Sequence, residues 1–510
     1  MIVADDLGYS DLGCFGSEIA TPNINALALQ GQIFTNFYTA ATCSPSRAML
    51  LSGTDNHIAG LGNMAENVSY YPEQVGKPGY EGFLNNRVVC VAQLMKDAGY
   101  HTYISGKWHL GLTKEQSPSA KGFERCFALL DAAANHFAPD RSQSQFWEDG
   151  SFAQFPPGKY STDFYTDKSI EFIEKDRVDN RPFFLYAAYT APHWPLQAPT
   201  DFIEKYKGVY DIGYDSLRTF RFESLKEKGI VLGDVQLPPL PRVKGSLYNI
   251  SNQPLLAWSS LSKSEQKIES RKMEIYAGMI ENLDQNIGRL IQYLKVIGEY
   301  ENTLFVFLSD NGPDVFELNE TPNPSNPYPY MGTANSFIAY GPQWAHASSA
   351  VNSYYKGYSA EGGIHSPMII KMPFQNEGRG IVKTFTTIMD LAPTFLDVAG
   401  ATYPPTNNGK SLAKYKGSSL LPFLEKKKSD VHKDDYVMGW ELFGRCAIRK
   451  GKWKIRKMEP PFGKAVFELF DIDKDPTESY DLSSQYPAKY KEMLIAWKTY
   501  VKENGVILKD

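Results

Sequence analysis

Short apolar stretches alternate with amphipathic ones along most of this 510-residue chain. Residues 34–38, 183–189 and 303–308 have the length and composition of buried strands. Between residues 267 and 294, apolar side chains recur at three- and four-residue intervals, which predicts the longest helix of the chain. Strands that alternate with helices indicate an α/β fold, in which a large, mostly parallel or mixed sheet lies between two layers of helices.

Two segments depart from this alternation. Residues 199–262 are rich in proline and tyrosine and have little clear period, so we interpret them as a long insertion. Residues 313–355 predict a loop that is too long for a plain connection, and loops of this length are usually functional.

A charged linker near residue 425 predicts a domain boundary. It separates residues 1–425 from residues 426–510, which we interpret as a small α+β domain with an antiparallel sheet. The elements predicted for this domain are strands at 436–442, 446–457 and 465–470 and a closing helix at 487–503.

The composition is that of a folded, soluble protein, with 42% hydrophobic and 22% charged residues. Acidic side chains outnumber basic ones by 58 to 53, whereas a general binder of nucleic acid or anionic membranes would need a basic excess. No apolar run approaches the roughly 20 residues of a membrane-spanning helix, so we expect no integral membrane protein. Five scattered cysteines do not indicate a disulfide framework. The chain begins inside a predicted strand, which leaves cytoplasmic, periplasmic and secreted locations open.

Polar side chains directly follow three of the predicted strands. They are Asp5 and Asp6 after the first strand, Asp310 and Asn311 after the strand at 303–308, and His193 after the strand at 183–189. Ligands of open parallel sheets bind at the carboxyl ends of strands, so we expect these side chains at one edge. Carboxylate and amide oxygens suit a hard cation, Ca²⁺ or Mg²⁺, better than zinc. The alternative is that they only cap helices or turns.

Lys107 and His109 follow a further strand, predicted at residues 101–106. Alternate positions along a strand face the same side, which predicts that the two side chains point together. Such a pair would bind an anion and carry a proton. The alternative is an exposed lysine beside a buried histidine.

Cys43 lies directly before a predicted helix that has Pro45 in its first turn. Backbone N–H groups at a helix start attract anions, and Arg47 can reach back toward the same point. A cysteine there is expected to have a lowered thiol pKa and to be reactive. The alternative is a small buried apolar side chain.

These motifs together resemble those of the type I sulfatases, members of the alkaline phosphatase superfamily, and most of all bacterial arylsulfatases of the Pseudomonas type. The matching stretches, in chain order, are ADDLG at 4–8, CSPSR at 43–47, TDNHIAG at 54–60, GKWH at 106–109, APH at 191–193, SDNG at 309–312 and KGYSAEGG at 356–363.

The resemblance implies an alkaline-phosphatase-like fold and a sulfuric ester hydrolase. In that family a maturation enzyme converts the cysteine that matches Cys43 to formylglycine, an aldehyde. The resemblance also implies one Ca²⁺ per chain, with Mg²⁺ as the alternative. Its ligands would be Asp5, Asp6, Asp310, Asn311 and residue 43.

The resemblance further implies catalytic roles for five side chains. Arg47, Lys107 and Lys356 would neutralise the sulfate group. One hydroxyl of the hydrated formylglycine would attack sulfur. His193, together with Lys356, would protonate or stabilise the leaving oxygen, and His109 would take a proton from the remaining hydroxyl as sulfate departs.

Two other functions stay open at this point. Hydrolases of phosphomonoesters, phosphodiesters and phosphonate monoesters share the scaffold, and an inactive calcium-dependent binding protein would keep Cys43 as a thiol. The substrate is an aryl, alkyl or carbohydrate sulfate ester, and no role is assigned to His365. Five aromatic residues of the 313–355 loop would either contact substrate or pack the loop: Phe316, Tyr328, Tyr330, Phe337 and Tyr340.

Overall fold

The computed structural model describes residues 1–137, 144–240, 243–245, 250–316, 327–375, 377–407 and 409–508, with the backbone alone at 243–245 and 250–254. The strands are β1 (Ile2–Ala4), β2 (Gln32–Tyr38), β3 (His101–Lys107), β4 (Arg125–Leu129), β5 (Phe146–Glu148), β6 (Ser151–Ala153), β7 (Phe183–Ala188), β8 (Val243–Gly245), β9 (Ile250–Pro254), β10 (Phe305–Ser309), β11 (His365–Lys371), β12 (Gly380–Val382), β13 (Thr386–Thr387), β14 (Thr406–Asn407), β15 (Lys410–Ser411), β16 (Val437–Leu442), β17 (Arg445–Lys450), β18 (Trp453–Lys457) and β19 (Glu468–Asp471).

The α-helices of the same residues are α1 (Pro22–Gln30), α2 (Cys43–Ser52), α3 (Asn56–Ala59), α4 (Val91–Asp97), α5 (Ser161–Asp176), α6 (Thr200–Lys205), α7 (Gly213–Glu227), α8 (Lys263–Val296), α9 (Gly341–Ser348), α10 (Glu361–Ile364), α11 (Leu391–Val398), α12 (Leu421–Leu424) and α13 (Pro487–Asn504).

A large mixed sheet forms the centre of the protein. Its order is β12-β2-β11-β10-β1-β7-β3-β4-β5-β6, and β13 also pairs with β2. From β10 to β4 every neighbouring pair is parallel, whereas β11 runs antiparallel to both of its neighbours. The predicted α/β class with a mostly parallel, mixed sheet is therefore confirmed.

Both faces of the central strands are buried, because helices cover each side. In β1, Ile2 and Ala4 belong to one apolar core, and Val3 belongs to the other. Helices α1, α5 and α8 contribute side chains to the first core, and α2, α4 and α11 contribute to the second. This burial explains why the central strands read as continuous apolar runs instead of alternating ones.

Helix α8 confirms the predicted long helix and begins four residues earlier than the apolar period indicated. A capping box closes its start, because Ser262 Oγ accepts from the backbone N–H of Glu265 and the Glu265 side chain accepts from the N–H of Ser262. Its buried face packs against the first core. No helix in the described ranges combines the length and hydrophobicity that a membrane crossing requires.

The two irregular segments contain more structure than their sequences indicated. Residues 199–262 include α6 and α7, and residues 313–355 include α9. In α7, Tyr214, Leu217, Phe222 and Leu225 pack into the first core. Buried Arg221 of the same helix forms ion pairs with Asp11 and Glu18, which add to this attachment. Residues 241–242, 246–249 and 317–326 of these segments lie outside the described residues.

The C-terminal part contains the predicted antiparallel sheet, in the order β16-β17-β18-β19. The stretch 446–457, predicted as one strand, forms two, because β17 and β18 are joined by a tight turn at Gly451, whose φ is 56°. Helix α13 confirms the predicted closing helix, and its Trp497 packs with Ile448 and Ile455 of the sheet.

A buried ionic cluster joins this sheet to the N-terminal part. His57 Nδ1 lies 2.8 Å from Asp55 Oδ1, and His57 Nε2 lies 3.6 Å from Glu441 Oε2. The Tyr500 hydroxyl donates to Asp55 Oδ2 at 2.6 Å. Burial alone would lower the pKa of His57, but Asp55 and Glu441 raise it to about 9.

This cluster predicts a specific dependence of stability on pH. The folded-state pKa of His57 exceeds the unfolded value, so its stabilisation is complete below about pH 6.5 and is lost as pH rises through about 9. We expect wild type to lose on the order of 3 kcal/mol more unfolding free energy than His57→Gln over this range. Urea unfolding of both proteins at the two ends of the range measures the difference. An identical pH dependence in the two proteins would contradict the assignment.

Candidate active site

Two neighbouring strand ends bring four oxygen-bearing side chains together. In the parallel pair of β1 and β10, Ala4 lies opposite Ser309, so the residues that follow each strand are adjacent. The backbone N–H of Asp310 donates to Ala4 O at 3.2 Å, and the N–H of Asp6 donates to Asp310 Oδ1 at 3.2 Å. Asp6 adopts a left-handed φ of 65°, and Asn311 Nδ2 donates to its Oδ1 at 2.6 Å.

Cys43 is the first residue of α2 and faces this edge of the sheet. Its Sγ lies 3.6 Å from Asp6 Oδ1. Single ligand atoms of Asp5, Asp6, Cys43 and His193 all lie within 4.8 Å of one another. The predicted meeting of the strand ends with residue 43 is therefore observed.

Three buried cations surround these carboxylates. Arg47 Nη2 lies 2.8 Å from Asp310 Oδ2 and 3.4 Å from Asp5 Oδ1. Lys107 Nζ lies 2.7 Å from Asp5 Oδ2. Lys356 Nζ lies 2.7 Å from Asp6 Oδ2. Each cation is thus fixed by a carboxylate, in a region of low dielectric where such pairs are strong.

His193 approaches the same carboxylates from the loop after β7. Its Nε2 lies 3.4 Å from Asp6 Oδ2 and 4.0 Å from Asp314 Oδ2. Asp314, which sequence analysis did not select, also lies 3.5 Å from Lys356 Nζ. Asp314 lies four residues after Asp310, beyond the same strand. Its position after β10 is the feature of the sequence from which it could have been predicted as a site residue.

His109 occupies the flank of the site and has a different partner. Strand β3 ends at Lys107, and His109 has a left-handed φ of 56°. The alternation of strand side chains therefore does not extend to His109, and the two side chains have different polar partners. Lys107 contacts Asp5, whereas His109 Nε2 lies 2.9 Å from Glu66 Oε1. Sequence analysis missed Glu66, because nothing local links it to His109.

The thiol of Cys43 does not have the lowered pKa that its helix position predicted. Burial and the carboxylate of Asp6 raise its pKa well above the usual thiol value. Burial also raises the pKa of Asp310 to about 7, although Arg47 opposes the shift. The environment therefore favours a protonated thiol, which is a poor nucleophile.

The donor set fits a hard divalent cation. Within the described residues, Asp5 Oδ1 and Asn311 Oδ1 are buried and have no hydrogen-bond partner. Both are hard oxygen donors of the kind that Ca²⁺ and Mg²⁺ bind. Unsatisfied buried oxygens of this kind are costly unless an ion or another donor meets them.

His365 and the loop aromatics have packing partners. His365 Nε2 lies 2.8 Å from Thr35 O, and its ring stacks on Tyr38 with centroids 5.0 Å apart. Tyr340 is buried and stacks on Tyr276 at 4.5 Å. Nearer the site, the Trp194 ring packs against three other rings, whose centroids lie 5.0–5.7 Å from its own. These rings belong to His193, Phe316 and Phe337.

Comparisons with known protein families agree with this geometry. The family model described as Sulfatase matches residues 1–401. A second model, described as N-sulphoglucosamine sulphohydrolase, C-terminal, matches residues 352–503. Together they extend over nearly the whole chain.

Individual proteins give the same result. An uncharacterized sulfatase of Schizosaccharomyces pombe is 41% identical over 533 residues, with 99% of this chain and 94% of the relative covered. An arylsulfatase of Klebsiella aerogenes is 37% identical, with 83% and 89% covered. The crystal structure of Ps i-CgsB in complex with k-i-k-neocarrahexaose is 25% identical, with a TM-score of 0.69 and coverage of 99% and 92%.

Sulfatases generally use a metal ion and a formylglycine residue, and Asp5, Asp6, Cys43 and His193 form a group that could hold a metal ion. The long matches to the family model and to these relatives leave one conclusion: the chain belongs to the sulfatase family and is a sulfuric ester hydrolase.

Proposed function

We propose that this protein is an arylsulfatase-like enzyme that hydrolyses a sulfate monoester. Residue 43 is the nucleophile, after a maturation enzyme has converted Cys43 to formylglycine. The observation that best supports the proposal is the position of Cys43 within a buried group of alternating charges, with Sγ 3.6 Å from Asp6 Oδ1. Formylglycine, as its hydrate, supplies a nucleophilic hydroxyl, which the protonated thiol does not.

Arg47 and Lys107 bind the sulfate group in this proposal. Both side chains are buried, and their carboxylate partners hold them in place. Cations that are already oriented in a site with little water stabilise the negative charge of the transition state without reorganising. Arg47 also donates to Lys107 O at 3.0 Å and to the Tyr186 hydroxyl at 3.1 Å, which fixes its guanidinium plane.

Lys356 and His193 serve the leaving group. Both lie within 3.4 Å of Asp6 Oδ2 and face Asp314. An alkoxide or phenoxide is a poor leaving group unless a proton or a cation meets the departing oxygen. We assign this task to the Lys356 ammonium. Burial lowers the pKa of His193 to about 3, and its Nδ1 donates to Trp194 O at 2.6 Å, so Nε2 must take up a proton before it can serve the leaving oxygen. We assign the acceptance of a proton during sulfate release to His109.

We propose Ca²⁺ as the metal. The residues that would hold it are Asp5, Asp6, Asp310, Asn311 and residue 43. Ca²⁺ accepts six to eight oxygen ligands in irregular arrangements, whereas Mg²⁺ demands a near-ideal octahedron. Donors that come from two strand ends and a helix start suit the less demanding ion. When bound, a divalent cation supplies positive charge beside the sulfate oxygens and favours ionisation of a coordinated hydroxyl.

We propose that an aryl or sugar ring of the substrate lies against Trp194. This side chain follows His193 directly and is half-buried, so it offers an apolar surface next to the leaving-group residues. Flat aromatic surfaces stack on aryl rings and pack on the apolar faces of sugars. Phe316 and Phe337 pack against the indole, with ring centroids 5.0 and 5.7 Å from it.

We propose that residues 1–425 form the catalytic domain and residues 426–510 the small C-terminal domain. The C-terminal sheet and α13 share a core of their own. Arg445 of β17 donates to Gly357 O at 2.8 Å, directly beside Lys356. The small domain therefore helps to hold a side chain of the site.

Replacing the nucleophile tests the proposal directly. Cys43→Ala should abolish turnover and leave the thermal unfolding midpoint nearly unchanged, because the change removes the aldehyde precursor and little buried surface. Peptide mass spectrometry of active wild type should show residue 43 lighter by about 18 Da as the aldehyde. Substantial activity in Cys43→Ala would refute the role of residue 43.

Removing one metal carboxylate should slow the reaction strongly. We expect Asp310→Ala to reduce kcat by about 10²–10⁴, the cost of losing a preorganised electrostatic group. Asp397→Ala, at an exposed position of α11, is the matched control and should retain full activity. Elemental analysis should find one Ca²⁺ in wild type and less in Asp310→Ala. If exhaustive chelation of wild type left the rate unchanged, the metal assignment would fail.

The alternative function, hydrolysis of phosphate or phosphonate esters, is tested by measuring the same enzyme with several nitrophenyl esters. The matured enzyme should give a higher kcat/KM for nitrophenyl sulfate than for nitrophenyl phosphate, a phosphate diester or a phosphonate monoester. The reverse order would show that the site serves phosphoryl or phosphonate esters instead.

A further inference from the structure

His109 and Glu66 form a pair outside the group of metal-site carboxylates. The His109 side chain is 5% exposed, whereas that of Glu66 is 43% exposed, and Nε2 lies 2.9 Å from Oε1. Within the part of the chain that the structure describes, Nδ1 of His109 is buried and has no hydrogen-bond partner. One ring nitrogen is therefore bound to a carboxylate, and the other is available.

This arrangement determines which nitrogen carries the proton. A carboxylate only accepts hydrogen bonds, so the hydrogen between the two side chains belongs to Nε2 of His109. A neutral imidazole has one N–H, which leaves a lone pair on Nδ1. Burial lowers the pKa of His109, which keeps the ring neutral, and the charges of Lys107 and Arg47 act on the same ring. Nδ1 is therefore a proton acceptor, and it lies on the residue two positions after Lys107.

The main-chain position of His109 and the orientation of its ring depend on different contacts. Trp108 anchors the segment, because its N–H donates to Leu129 O at 2.8 Å and its indole N–H donates to Gln116 O at 3.0 Å. These contacts hold the main chain, whereas the orientation of the imidazole about its Cβ–Cγ bond depends on the contacts of the ring itself. Among the described contacts of His109, the hydrogen bond to Glu66 is the one that sets both the rotation and the tautomer.

We infer that Glu66 is a positioning residue for the release of sulfate, an inference that rests on the proposed function of the site. It holds His109 with the proton on Nε2, so that Nδ1 takes the proton of the remaining hydroxyl of residue 43. As that O–H bond breaks, the carbonyl of residue 43 re-forms, the C–O bond to sulfate breaks, and its electron pair leaves with the sulfate. Glu66 acts through His109 and does not touch the reacting atoms.

Glu81 is a control that separates a purely structural role of Glu66 from a role in positioning His109. Glu81 accepts from the backbone N–H of Gly79 at 2.9 Å and from Asn85 Nδ2 at 3.3 Å, and it pairs with Arg87. Glu81 thus holds the segment in place and has no described contact with His109. Glu81→Gln therefore perturbs the local fold without changing the imidazole.

The kinetic experiment measures the two products separately. With matured enzyme and an aryl sulfate in a quench-flow instrument, we expect Glu66→Ala to form the first phenol at the wild-type rate and to release sulfate about 10–100-fold more slowly. Glu66→Gln keeps an oxygen acceptor, folds more conservatively, and should slow sulfate release by a smaller factor. Glu81→Gln should affect both products equally or neither. Equal slowing of both products in the Glu66 variants, or no slowing, would overturn the inference.

A second experiment does not depend on activity. Long-range ¹⁵N–¹H correlation spectra of histidine-labelled, unmatured protein report the tautomer of His109, whose signal is identified by its loss in His109→Asn. We expect a hydrogen-bonded Nε2–H in wild type and Glu81→Gln, and loss of that signal in Glu66→Ala. A proton on Nδ1 in wild type, or an unchanged signal in Glu66→Ala, would overturn the inference. If the enzyme cleaved no sulfate ester, the proposed function would fail, while these spectra would still report on the pair.

Discussion

The parallel pairing of β1 with β10 is the constraint on which the rest of the site depends. Because Ala4 lies opposite Ser309, the chain must place Asp5 and Asp6 next to Asp310 and Asn311. Shifting the register by one residue would move Ile2 and Ala4 into the core that Val3 occupies and Val3 into theirs. Because closely packed cores do not accept such exchanges of side-chain size without cost, the packing of the sheet specifies the position of the carboxylates. The chemistry of the site is therefore fixed by the same contacts that stabilise the fold.

The carboxylates of Asp5, Asp6 and Asp310 are buried close together and would repel each other if no positive charges lay between them. Arg47, Lys107 and Lys356 supply them, each within 2.8 Å of an Asp oxygen. A buried ion pair contributes little net stability, and removing one partner leaves an uncompensated charge. In the proposed function the same cations bind the sulfate group or the leaving oxygen, which gives their burial a catalytic explanation.

The sequence predicted those parts of the site that follow from local rules. Asp5, Asp310 and His193 come directly after apolar strands, and strand ends in a parallel sheet share one edge, so their meeting could be expected. The relation of Glu66 to His109 could not, because it joins residues 43 positions apart in the chain, and neither residue belongs to a helix or strand whose pairing would indicate the contact. Burial reversed the expected pKa shift of Cys43, since the neighbouring Asp6 and the lack of solvent outweigh the effect of the helix start. Helix α7 packs Tyr214, Leu217, Phe222 and Leu225 into the core, and it was missed because buried Arg221, which pairs with Asp11 and Glu18, interrupts this apolar face.

The proposed chemistry requires that residue 43 and the ends of β1 and β10 surround a single divalent cation. A crystal structure of the matured enzyme, with anomalous scattering data for its bound metal, measures this arrangement. We expect one peak, bound by oxygens of Asp5, Asp6, Asp310 and Asn311, with residue 43 as a neighbour. A metal bound elsewhere in the chain, with these four side chains still joined only to Arg47, Lys107 and Lys356, would contradict it.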